Sequence, residues 1–401
     1  MMQIADRIQQ IAASQSLQMA ARCRELQAQG VDVINMSLGE PDLETPLFVK
    51  NAAVQAVQDN WSHYGPVAGI ASLRNAVAMH QNASCDNAIE WQAEDVIVSV
   101  GAKAAIFNAI QTILNAGDEV IIPTPSWVSY GEMVKLAGGK VVLVPTSAEE
   151  NYCITAKQLE ESITSRTRLF ILCSPNNPTG TIYSDTRLDE LVAVLRAHPE
   201  IVVLSDEIYS SLAYTAIARS LAHYPELSDR LILINGVSKA YAMTGYRIGW
   251  SMCKNSTFNT ACTRLQSQEF TCATMIAQKA AETALLANQD SVEQMRAVFQ
   301  QRRDLICHLA RDVKDWCFVE PQGAFYLFPD VSKFFGRKYG RYDLRTADDV
   351  AELLLEEAHV AVVPGSAFGD SSCIRLSYAI SNAAITETMR RIKTILELCV
   401  E

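Results

Sequence analysis

Several features are missing from this chain, and each absence closes off a class of function. No apolar stretch approaches the ~20 residues that a bilayer span needs; its apolar runs are short ones such as LFILC (169–173), IVVL (201–204) and LILI (231–234). No membrane-crossing segment is expected. Basic charge is also scarce, with 34 Lys and Arg against 45 Asp and Glu and a net charge of −11 over 401 residues. Affinity for nucleic acid rests on neutralising phosphates with Lys and Arg, so no nucleic-acid partner is expected. Neither a Walker GxxxxGK nor a GxGxxG is present, which weakens any NTPase or dinucleotide reading. The 11 cysteines include no CxxC pair, and the six histidines show no HExxH spacing, so neither a disulfide framework nor a metal site is expected. The first residues, MMQIADRIQQIAAS, carry Asp6 and Arg7 and no apolar h-region, which reads as no secretory signal and points to the cytoplasm.

What is present is a chain 49% hydrophobic and long enough for two or three domains. Between about residues 50 and 290 the apolar runs DVIVSV, EVIIPTP, VVLVP, RLFILCSP, IVVLSDE and LILINGVSK alternate with stretches of helical period such as KAAIFNAIQTILNAG. Unbroken Val/Ile/Leu strands separated by helices predict an α/β fold, with a mainly parallel sheet covered by helices on both faces. Residues 291–314 read as one long amphipathic helix. After it, FVEPQGAFYLFP, VAVVPGSAF and IRLSYA read as strands of a smaller α+β unit, with which the N-terminal segment packs. The expected division is 1–45 as an N-terminal part of the small unit, 46–290 as the large domain and 291–401 as the small C-terminal domain.

In open α/β sheets ligands bind beyond the carboxyl ends of the strands, so the polar residues after each apolar run are the informative ones. After DVIVSV come Gly101, Ala102 and Lys103, small residues opening a helix whose free N–H groups suit an anion, although an ordinary tight turn has the same composition. After IVVLS come Asp206 and Tyr209; a carboxylate there suits a Mg²⁺ ion, a helix cap or a cationic ring nitrogen. After LILIN come Ser238 and Lys239, with Arg247 eight residues further on between glycines. The turn SPNNPTG (174–180) follows a buried strand. One ligand accounts for all of these loops. Pyridoxal 5'-phosphate needs an amine for its Schiff base, a carboxylate beside its ring nitrogen, donors for its phosphate and a flat side chain against the ring. Lys239, Asp206, Arg247 with the Gly101–Lys103 turn, and Trp127 in PTPSWVSY fit these roles in turn. Ser238 joins the cofactor set, and Asn177 and Tyr209 would donate to the ring oxygen.

The strings SKAYAMTGYRIG, SPNNPTG, SDEIY, SLGEPD and IRLSYA, together over nearly the whole chain, resemble the fold type I, class I aminotransferases. Within them the chain is most similar to the bacterial aspartate aminotransferase subgroup that also contains prephenate aminotransferases. The resemblance implies that Lys239 is the Schiff-base lysine, that Asp206, Tyr209 and Asn177 contact the cofactor ring, and that Arg247 contacts its phosphate. Tyr64 matches a tyrosine that reaches the phosphate of a neighbouring subunit, and family members are homodimers with shared active sites, so a homodimer is expected. Arg375 matches the arginine for the substrate α-carboxylate, which a planar guanidinium meets bidentately. Gly39 matches a backbone contact over the same substrate, to which Trp127 and Asn177 also face. Lys103, Ser14 and Ser16 match residues used for a distal carboxylate. Two positions depart from the pattern. Ala12 stands where relatives that accept prephenate tend to have a basic residue, and Gly236 replaces a hydroxyl that contacts phosphate in other members. The expected activity is aspartate with 2-oxoglutarate by ping-pong transamination. Aromatic, neutral or prephenate transamination, or a β-lyase reaction on the same fold, are the alternatives.

Overall fold

A computed structural model of the chain describes residues 2–13, 15–84, 88–215 and 218–400. Seven strands form the central sheet: β1 (Val96–Val100), β2 (Glu119–Thr124), β3 (Lys140–Pro145), β4 (Thr167–Cys173), β5 (Val202–Asp206), β6 (Leu231–Gly236) and β7 (Ile248–Met252). They lie in the order β1-β7-β6-β5-β4-β2-β3. Six of these correspond to the apolar runs. The apolar pattern does not mark β7, which falls inside the motif SKAYAMTGYRIGW; it lies antiparallel between β1 and β6, and the other pairs are parallel.

The reversed strand shapes the ligand-binding edge. The parallel strands all end at one edge of the sheet, and the antiparallel strand begins there. Arg247, immediately before β7, is thereby brought to the edge where β1, β5 and β6 finish. The sheet is buried on both faces: Val98, Ile121, Phe170, Val203 and Leu233 pack one way, and Ile97, Ile122, Ile171, Leu204 and Ile234 the other. At roughly 25 cal/mol per Å² of apolar surface removed from water, these two layers are the main stabilising term for the strands whose ends carry the site.

Two helices open at the same edge. α1 (Ala102–Ile113) follows β1, and Gly101 takes the position before it with φ +82. A Cβ there would lie 2.5 Å from Nη2 of Arg247, so glycine meets both a left-handed backbone and a close neighbour. α2 (Ser129–Leu136) follows β2. The long helix α3 (Asp290–Ala310) leads to a second core, formed by Phe299, Ile306, Phe325, Leu327, Leu353, Leu376 and Ile392 among others. Within it β8 (Tyr326–Leu327), β9 (Val363–Pro364) and β10 (Ile374–Ser377) make an antiparallel sheet with β10 in the middle. Residues from the N-terminal segment join this core: Ile34–Asn35 pair in parallel with Val360–Ala361, and the amide of Ser377 donates to the carbonyl of Met36 at 2.8 Å. A division at residues 45 and 290 stays a proposal, which the two separate cores support.

Candidate active site

Where the sheet edge faces the second core lies a cavity of about 520 Å³, lined by residues from both, among them Gly39, Lys103, Trp127, Asn177, Asp206, Tyr209, Ser238, Lys239, Arg247 and Arg375. Ala102 lines it too, and Gly101 lies beside it against Arg247. Residues 336 positions apart, from Gly39 to Arg375, are therefore brought to one place.

On the floor, Asp206 ends β5 and is only 3% exposed. Its Oδ2 accepts from the hydroxyl of Tyr130 at 2.6 Å and its Oδ1 from the amide of Ile208 at 3.2 Å. Burial pushes its pKa up, opposed by these two hydrogen bonds and by Lys239. A buried carboxylate in that condition is stabilised by a cation placed against it. Lys239 follows β6 on a short helical turn, Val237–Ala240, with its Nζ donating to the carbonyl of Gly39 at 2.6 Å. Its pKa is lowered to about 8, first by burial, then by the positive charges of Arg247 and Arg375, with Glu40 and Asp206 pulling the other way. An amine of that pKa exchanges a proton near neutral pH.

At the sheet edge Arg247 lies on the rim, in the left-handed region at φ +56. Its Nη1 donates to the carbonyl of Thr244 at 2.8 Å and its Nη2 reaches the carbonyl of Val100 at 3.5 Å. No carboxylate pairs with it among the described residues, so the guanidinium keeps its charge for an anion beside the start of α1. Gly236 has a steric explanation: a Cβ would meet Cα of Gly249 and the carbonyl of Ile248 at 2.9 Å, so β7 leaves no room for the hydroxyl. Trp127 stands edge-on to Tyr130 at 5.2 Å, and the ammonium of Lys103 lies 4.8 Å from its ring centre.

Opposite, Arg375 on β10 is 3% exposed. Its Nη1 donates to Oδ1 of Asn177 at 3.0 Å and its Nη2 to the carbonyl of Ser37 at 2.7 Å. Its Nε is buried without a partner, and no carboxylate pairs with it among the described residues. The guanidinium has only donors, so Asn177 must present its oxygen to it, which leaves the amide NH₂ as the other end. Burial pulls the pKa of Arg375 down, a cost that a bound carboxylate offsets.

Of the remaining residues read from the sequence, Tyr64 is 90% exposed and does not line the cavity. Ser14 lies outside the described residues, and Ser16 is within the helix Gln15–Ala28 with its side chain outside the description. Sequence reasoning missed three participants. Tyr130 holds Asp206, Tyr326 lines the cavity beneath Arg375, and Glu40 accepts from the hydroxyl of Thr244 at 3.0 Å while its charge favours the ammonium of Lys239.

A family model described as "Aminotransferase class I and II" matches residues 31–392. The chain is 42% identical over 391 residues to an aspartate aminotransferase of Bacillus sp. (strain YM-2), covering 97% of this chain and 98% of that protein. It is 38% identical over 400 residues to an aspartate/prephenate aminotransferase of Nitrosomonas europaea, covering 98% and 100%. The crystal structure of an aspartate aminotransferase from Rhizobium meliloti superposes with a TM-score of 0.95 at 37% identity, over 99% of this chain and 100% of that one.

Proposed function

The chain belongs to the class I and II aminotransferase family, and from that premise we propose that it is a pyridoxal 5'-phosphate-dependent aminotransferase converting aspartate and 2-oxoglutarate to oxaloacetate and glutamate. One observation carries the reading: a buried guanidinium without a counter-anion, Arg375, faces the same cavity as the amine of Lys239 and the buried carboxylate of Asp206. An amino acid brings the missing carboxylate, and the cofactor's ring nitrogen brings the missing cation.

The residues present fit this cofactor. Asp206 would keep its ring nitrogen protonated, with Tyr130 fixing the carboxylate. Arg247 and the N–H groups at Ala102 and Lys103 would hold its phosphate, the N–H of Gly101 being engaged by the carbonyl of Ser99 at 2.7 Å, with Asn177 and Tyr209 at its ring oxygen and Trp127 and Ser238 at its flanks. When bound, the cofactor supplies an electron sink for the pair left on the substrate's Cα. Arg375 holds the α-carboxylate, and that anchoring presents the Cα–H bond to Lys239. Lys239 is the group that removes the proton from Cα and returns one as general base and acid, a task suited to its lowered pKa. Gly39 closes over the substrate through its backbone.

Lys103 at the rim, with Ser14 and Ser16 from the N-terminal segment, would receive a distal carboxylate. The names of the Bacillus and Nitrosomonas relatives support a dicarboxylic substrate. The enzyme would act as a homodimer, with Tyr64 reaching the phosphate in its partner; the 90% exposure of that side chain and the exposed Leu47, Val54 and Val57 on one helix support this. On the character of its sequence, we place it in the cytoplasm.

Initial rates test the reading. Aspartate with 2-oxoglutarate should give oxaloacetate with the parallel double-reciprocal lines of ping-pong kinetics, ahead of phenylalanine and prephenate. Pyruvate release from cysteine conjugates without 2-oxo acid formation from aspartate would overturn it in favour of a β-lyase.

A further inference from the structure

We propose that Tyr326 is a positioning residue that joins the group meeting the cofactor's ring oxygen, Tyr209, to the group meeting the substrate carboxylate, Arg375. The inference rests on the aminotransferase reading and deepens it.

The geometry begins in the small sheet. Tyr326 on β8 lies opposite Ser377 on β10, which makes Arg375 its diagonal neighbour on the same face. The guanidinium of Arg375 sits 4.5 Å from the centre of the Tyr326 ring and 4.9 Å from that of Phe368, so the cation is held between two aromatic faces. That contact provides electrostatic support for a buried charge with no carboxylate partner. The far end of the same ring reaches the large domain. Its hydroxyl is 2.8 Å from the hydroxyl of Tyr209, and both residues are buried in the cavity wall.

Burial pushes the pKa of each phenol up, so both stay protonated and one must donate to the other. The Tyr326 hydroxyl has no other hydrogen-bond partner among the described residues, and Arg375 cannot accept. Each hydroxyl has the other as its partner, and with the Tyr209 proton assigned to the cofactor's ring oxygen, Tyr326 becomes the donor of the pair. A hydroxyl that accepts one hydrogen bond donates a stronger one. The backbone above is shaped to this ring as well. A Cβ on Gly39 would lie 2.7 Å from the Tyr326 oxygen, so only a residue without a side chain lets the segment pass there and offer its carbonyl to Lys239. One side chain thus touches the arginine, the tyrosine and the glycine assigned to three different parts of the ligand.

The test uses the holoenzyme and two readouts besides turnover: the pH midpoint of the bound cofactor's absorbance, and the affinity for maleate, a dicarboxylate with no amine to react. Loss of the Tyr326 hydroxyl weakens donation from Tyr209, the ring oxygen becomes more basic, and the proton on the adjoining Lys239 nitrogen is held to higher pH. Tyr326→Phe should raise the midpoint by roughly half a unit while leaving maleate affinity within about twofold. Tyr326→Leu should raise the midpoint as much and also weaken maleate by roughly three- to tenfold, because the ring under Arg375 is gone. In a Tyr209→Phe background, Tyr326→Phe should add no further shift. An unmoved midpoint in Tyr326→Phe, or a full shift in the Tyr209→Phe background, overturns the inference; Tyr326→Leu carries the same test if the Phe variant does not fold. A wild type that takes up no pyridoxal phosphate sinks the functional reading and this inference together. A wild type with the expected absorbance and indifferent Tyr326 variants sinks this inference alone.

Discussion

The two ends of the cavity are built differently. The cofactor end is assembled from strand termini of one sheet: Gly101 after β1, Asp206 closing β5, Lys239 after β6 and Arg247 before β7. Each sits within a few residues of a buried strand, and the pairing of those strands brings their ends to one edge. The carboxylate end is assembled from pieces with no such common element. Ser37 and Gly39 come from the N-terminal segment, Asn177 from the turn after β4, and Tyr326 and Arg375 from two strands of the small sheet. A cofactor that stays bound can rest on a rigid frame. A substrate that enters and leaves is met by side chains from two cores, which makes that end the one able to respond to what is bound.

The contrast is tested most severely by removing the one group both ends share. Lys239→Ala should lower turnover by at least ~10³-fold, since general acid–base catalysis and covalent attachment are lost together. Its cofactor absorbance should lose the pH-dependent band of wild type. Turnover within tenfold of wild type would remove the lysine from the chemistry. Arg375→Ala tests the other end and should cost ~10² to 10³ in kcat/KM, from two charged hydrogen bonds of about 1.5–3 kcal/mol each that are only partly additive. Its cofactor content should match wild type. A lost cofactor in that variant would mean that the two ends do not separate as described.

A smaller effect bears on the cofactor end alone. Asp206 faces the cavity, and its neighbour Glu207 faces inward, where its Oε1 accepts from the hydroxyls of Ser205 and Ser220, each at 2.9 Å. Burial pushes the Glu207 carboxyl up to about 7, with the nearby charge of Asp206 acting the same way and the serine hydrogen bonds opposing. Its folded pKa lies above the unfolded value, so its contribution to stability is complete below about pH 4.5 and is lost as pH rises through about 7. Glu207→Gln, an uncharged mimic, should flatten that loss, giving a relative gain in unfolding free energy on the order of 2–3 kcal/mol between pH 4.5 and 8. Denaturant midpoints at those two pH values measure it; identical pH profiles for the two proteins would show that Glu207 is not held neutral.

The uneven legibility of the site has the same origin. Asp206, Lys239 and the Gly101 turn are readable because each is a polar or small residue directly after a buried strand, where a side chain has to face the sheet edge. The Tyr130 hydroxyl is not, since an aromatic at a helix start is as easily core, and only its 2.6 Å approach to Asp206 distinguishes it. β7 is hidden inside a motif that stands out for its Lys and Arg, and its antiparallel direction depends on partners that a local pattern does not contain. The Tyr209–Tyr326 pair joins positions 117 residues apart, and no periodicity links them.

By itself the sequence determined the α/β class, the strands that end at the cofactor and the residue types offered there, because strand burial and strand-end chemistry are local consequences of residue order. Tertiary structure decided that Arg375 is held between two rings, that Lys239 rests on Gly39, that Gly236 has no space for a side chain and that the hydroxyls of Tyr209 and Tyr326 meet at 2.8 Å. These depend on distances between chain segments that meet only when both cores are packed, and a few tenths of an ångström there separates a hydrogen bond from a clash.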